Sequence, residues 1–140
     1  PQVFSILNGK PLGATIHVID EELDHGPILV QREVPLFSWD TSLSAYQRVQ
    51  EAEKKLIEDS LVDVLFNRRG SDKAGAGNVN LRRDFNALCE LDLDEVLTMK
   101  EALDRLRALS HPPYSNAYFK AKEDQRKVFV SLSLEPENSH

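Results

Sequence analysis

Residues 13–28 read GATIHVIDEELDHGPI, and the fold turns on how this stretch is parsed. Residues 14–19 (ATIHVI) are rich in β-formers and bounded by Gly13 and Asp20, which predicts a buried strand. Residues 20–27 (DEELDHGP) form a polar loop that closes on Gly-Pro. Residues 28–36 (ILVQREVPL) predict a second strand, with Pro35 marking its end or an edge position. A loop slung between two strands is held against a rigid sheet, where functional loops tend to sit. Asp20, Glu21, Glu22 and Asp24 crowd negative charge into this loop, and in a partly buried setting their repulsion favours proton uptake on one of them. A solvated turn has the same composition, so residue types alone leave both readings open.

Outward from this unit, residues 3–8 have the apolar spacing of a short helix, and residues 9–13 (GKPLG) punctuate it. Downstream, Asp40 or Thr41 can cap a long helix that ends near Asn67. Leu43, Tyr46, Val49, Leu56, Ile57, Leu61, Val64 and Leu65 follow its period. Residues 71–80 (SDKAGAGNVN) read as a Gly-rich linker between a core at 1–70 and a smaller subdomain at 81–140. In that subdomain residues 98–110 predict a helix with Leu103, Leu106 and Leu109 on one face. His111-Pro112-Pro113-Tyr114 then breaks the chain. Residues 117–120 and 127–134 alternate as a β-hairpin around a charged connection.

Composition narrows the function. The 140 residues suffice for a real core, and 41% hydrophobic with 29% charged is ordinary for a globular domain. A net charge of −6 argues against a nucleic-acid partner. The short pairs Arg68-Arg69 and Arg82-Arg83 read as solvated surface. The single cysteine, Cys89, forms no intramolecular disulfide and reads as a small buried hydrophobe, which suits a reducing, cytoplasmic compartment. No stretch approaches the apolar length of a membrane span, so no membrane partner is expected. The chain opens on PQVFSIL as if inside an element, and a piece of a longer chain is expected.

The sixteen residues 13–28 resemble the signature of the folate-dependent formyltransferase family: a Gly, a strand containing a His, then an acidic turn closing on Asp-x-Gly-Pro-Ile. The resemblance implies an α/β fold, the C-terminal part of a Rossmann-like core (β-loop-β plus long helix) followed by a small α+β subdomain with a β-hairpin. It also implies transfer of a formyl group from the co-substrate 10-formyltetrahydrofolate to a primary amine, with no metal. Asp24 matches the Asp of the family's catalytic Asn–His–Asp set. An attacking amine must lose a proton, and a partly desolvated carboxylate can accept it. The oxyanion needs donors that an ionised carboxylate lacks, so Asp24 does not act alone. The family's Asn-x-His pair belongs upstream of Pro1. The terminal Asn138-Ser139-His140 lacks the strand context and is a coincidence.

The family layout places the backbone of Ile19, Asp20, Glu21, Glu22 and Leu23 around the pterin. His17 falls on a family position, where it either orients Asp24 or a water from behind, or is a structural strand histidine. His25 is either a substrate-side group or surface. Residues 39–46, 84–92, 103–111 and 116–119 resemble the branch acting on dTDP-linked amino sugars for surface polysaccharides. In that branch an aromatic residue from this region stacks on thymine. Tyr114 is the candidate, and capping the core is its other possible role. Arg105 and Arg107 either reach a pyrophosphate or lie on solvated helix faces. Trp39 reads as core or interface rather than ligand contact. The hairpin, with Phe119, Val128, Val130 and Leu132, either pairs across a homodimer or packs on its own helix. Two other readings stay open: an incomplete fragment acting as an interaction or oligomerisation module, and a purine-pathway (glycinamide ribonucleotide) formyltransferase, against which residues 85–118 speak.

Overall fold

The computed structural model describes residues 2–18, 27–67 and 82–137, and the linker expected at 71–80 lies outside them. In chain order the elements are α1 (Gln2–Asn8), β1 (Leu12–His17), β2 (Ile28–Val34), α2 (Ser42–Asn67), α3 (Arg82–Cys89), α4 (Met99–Leu109), β3 (Ser110–His111), β4 (Tyr114–Ser115), β5 (Ala117–Lys120) and β6 (Lys127–Val130). The chain is α/β, and among the described residues it has three two-stranded antiparallel sheets, β1–β2, β3–β4 and β5–β6. It divides into two compact units.

The first unit holds residues 1–10, 36–46 and 79–140. Its core is Cys89, Leu109 and Ala117, with Val3, Phe85, Leu88, Leu91, Leu106, Tyr118 and Val130 packed around them. Burial is what makes Cys89 a hydrophobe here, and it raises the thiol pKa. Helix α4 begins with a reciprocal cap. The Thr98 hydroxyl accepts from the Glu101 backbone N–H, and the Glu101 carboxylate takes the Thr98 backbone N–H at 2.8 Å. Leu106 and Leu109 face the core as expected, but Leu103 is exposed, because the buried stripe continues through Arg107 and Ala108 instead. The β5–β6 hairpin forms as expected. Its second strand ends at Val130, because Leu132 N–H turns to the Ser110 hydroxyl at 2.7 Å.

The second unit holds residues 11–35 and 47–78. Leu12 and Val34 are buried partners across the β1–β2 ladder, and Ala14 is buried two residues on, the strand period. Strand β1 therefore starts at Leu12 rather than Ala14, with Gly13 paired to Glu33 inside it. Strand β2 stops at Val34, since Pro35 has no N–H to extend the ladder. Val49, Leu56 and Ser60 of α2 are buried in this unit, and Arg32 of β2 pairs with Asp59 of α2 at 2.8 Å. Ile57, Leu61 and Leu65 carry the helical period but are exposed.

Candidate functional site

The β1–β2 ladder holds both ends of the acidic segment. Its register shifts between Ile16 and His17, and His17 then pairs with Ile28. Such an irregularity re-aims a side chain at the end of a ladder. Beyond it the Val18 N–H donates to the Pro27 carbonyl at 3.0 Å. His17 is half-buried. Ile19, Asp20, Glu21, Glu22, Leu23, Asp24 and His25, the residues named for catalysis, pterin contact and substrate contact, lie outside the described residues. The structure fixes the two anchors, Val18 and Pro27, and puts His17 beside the first.

In the first unit, Tyr114 does not cap the core. It is 68% exposed, on the short β3–β4 ladder where it pairs with His111. The His111 ring stands 5.9 Å from Tyr114 and 5.6 Å from Tyr46, tilted to both. Its Nδ1 lies 3.0 Å from the hydroxyl of buried Ser42 at the start of α2. Sequence reading picked Tyr114 alone. His111 was visible in the same Pro-stiffened turn, but nothing in the chain marks Ser42, 69 residues away, as its partner.

The segment carrying Ser42 is braced. Thr41 caps α2: its hydroxyl accepts from Ser44 N–H, and its own N–H donates to the Ser44 hydroxyl. Asp40 accepts from Phe37 N–H at 2.7 Å and from the Ser44 hydroxyl at 2.9 Å. Arg107 is neither a pyrophosphate ligand nor on a solvated face. It is buried, donates to the Phe37 and Asp40 carbonyls at 3.1 and 2.9 Å, and pairs with Asp104 at 2.7 Å. Arg105 also turns inward, donating to the carbonyls of Leu88, in the last turn of α3, and of Glu90 just past it. Burial pushes the Asp104 carboxyl up, but hydrogen bonds from Lys100 and Arg107 outweigh it, and its pKa ends below the usual carboxylate value. Trp39 is not core: it is 43% exposed, stacked on Phe37 with centroids 4.9 Å apart and rings within 6° of parallel.

The arrangement offers an exposed aromatic face beside an oriented imidazole, which suits a planar, polar-edged ligand. Among the described residues no cluster of His, Cys, Asp and Glu could hold a metal ion. Among them, too, no helix is long and apolar enough to cross a membrane.

Two family models match the chain: Formyl transferase over residues 4–61, and N-formyltransferase dimerization C-terminal domain over residues 84–136. A dTDP-4-amino-4,6-dideoxyglucose formyltransferase of Mycobacterium tuberculosis is 46% identical over 140 residues, covering 98% of this chain and 58% of that protein. The crystal structure of a 4-N formyltransferase from Francisella tularensis superposes with a TM-score of 0.88 at 47% identity, over 97% of this chain and 56% of the other. A formyltransferase from Anoxybacillus kamchatkensis, solved with UDP-4,6-dideoxy-4-formamido-L-AltNAc and tetrahydrofolate, is 28% identical with a TM-score of 0.57, over 77% of this chain and 56% of the other. The chain thus spans somewhat over half the length of the relatives it matches.

Proposed function

Because the chain belongs to the formyltransferase family, we propose that it is the acceptor-side part of a sugar-nucleotide N-formyltransferase. The reaction moves a formyl group from 10-formyltetrahydrofolate to the amino group of a dTDP-linked amino-dideoxy sugar. The observation that carries this reading is the 46% identity, over 98% of the chain, to a protein named for that sugar nucleotide. The match at residues 84–136 favours the sugar-nucleotide branch over a purine-pathway enzyme.

In this reading the amine attacks the formyl carbon, the carbonyl becomes an oxyanion, and collapse breaks the bond to the folate nitrogen. The amine proton leaves through Asp24, and the folate nitrogen takes up a proton. Ile19–Leu23 backbone groups contact the pterin, with His17 supporting Asp24 from the strand and His25 on the substrate side. Tyr114 stacks on the base, and its exposure supports that role. Residues 1–70 belong to the catalytic part, 71–80 link, and 81–140 serve the nucleotide and a homodimer contact through the β5–β6 hairpin, in a cytoplasmic enzyme without a metal.

Asp24→Asn, made in the intact natural protein, is expected to lower kcat at least a hundredfold, the scale of lost acid–base catalysis. Far-ultraviolet circular dichroism should stay unchanged. Turnover within a few fold of wild type overturns the assignment.

A further inference from the structure

Ser42 and His111 meet across a long sequence gap, and neither is needed to explain the core. The Ser42 hydroxyl is buried and 3.0 Å from Nδ1. Among the described residues Nε2 of the same ring has no hydrogen-bond partner. A half-buried imidazole with one nitrogen tied and the other unused is a pre-oriented polar group. Its neighbours on two sides are aromatic, Tyr46 at 5.6 Å and Tyr114 at 5.9 Å. The α2 start that carries Ser42 is itself held by Arg107 and the Thr41–Ser44 cap, so the imidazole is referenced to a braced backbone.

Resting on the reading of Tyr114 as the base platform, we infer that the Ser42–His111 pair is a specificity-determining element for the nucleobase. In this inference the tautomer is the one in which Ser42 donates its hydroxyl proton to Nδ1, 3.0 Å away. The ring hydrogen then sits on Nε2, which becomes a donor. A ring stacked on Tyr114 brings its edge beside the imidazole. A pyrimidine with exocyclic carbonyl oxygens offers acceptors there, and a cytosine-type edge with an amino donor at the same position is rejected. Aromatic stacking tolerates any base, whereas a fixed donor does not.

The experiment uses the intact natural protein with dTDP as the ligand. His111→Phe keeps a ring between the tyrosines but removes the donor. It is expected to weaken dTDP binding in calorimetry by roughly three- to tenfold, the value of one neutral hydrogen bond. KM for the folate donor should hold, while the melting temperature should fall modestly because the buried Ser42 hydroxyl loses its partner. In a sample with 15N-labelled histidine, Nε2 of His111 should be the protonated nitrogen, and its signal should shift when dTDP is added. A proton on Nδ1, or a signal unmoved at saturating dTDP, overturns the inference. So does a His111→Phe variant that binds dTDP as wild type does while Tyr114→Ala binds it weakly. If Tyr114→Ala also binds dTDP normally, the base-platform reading fails, and this inference with it.

Discussion

Arg107 shows how one side chain can set a site it does not enter. It is a buried cation whose Nε and Nη1 donate to Asp104 on its own helix and to two carbonyls of the 37–40 segment. Removing one partner of a buried pair is costly because the other charge stays desolvated. Arg107→Met is therefore expected to lower unfolding free energy by about 3 kcal/mol in urea titration. Asp104 has a lowered pKa in the folded state, so its contribution is complete above its ordinary value of 3.8 and fades as the pH falls through the lower folded value. Below about pH 4, as Asp104 takes up its proton, the wild type should lose stability more steeply than Arg107→Met. At this same scale sequence reading went astray, since a polar residue at the edge of an apolar helix stripe normally faces water. Arg107 is inside because the 37–40 turn presents carbonyls to it, and no local pattern announces that.

Helix α4 depends on its cap more than on its length, since eleven residues are marginal for an isolated helix. The Thr98 hydroxyl and the Glu101 carboxylate satisfy two of the helix's first N–H groups. Thr98→Ala is expected to cost about 1 kcal/mol, read as a lower denaturation midpoint at unchanged slope. The helix and its stop before two prolines were legible because periodicity and proline act within a few residues; its Thr-x-x-Glu cap was not read until the structure showed it. The β1–β2 hairpin was legible for the same reason, with its start misplaced by two residues. Gly13 looked like a turn residue, yet the Leu12–Val34 buried pair draws the strand past it.

At the scale of the whole molecule, the β5–β6 hairpin carries the proposed contact with a second copy. Residues 84–136 match a dimerization domain, and Val128 of β6 is exposed in the single chain. Val128→Glu in the intact protein is expected to shift sedimentation from dimer to monomer without lowering the melting temperature. A variant that still sediments as a dimer removes β6 from the interface. By itself the sequence determined the strand–loop–strand unit, the long helix, α4, the hairpin and the family, because periodicity, turn residues and a sixteen-residue signature are local. Tertiary structure alone decided that Leu103 faces out and Arg107 in, and that Tyr114 is presented rather than packed. It also decided that Ser42 meets His111 from 69 residues away. Those outcomes depend on which carbonyls, hydroxyls and rings distant segments bring to the same place, and that information is carried by the packed backbone, not by any one stretch of chain.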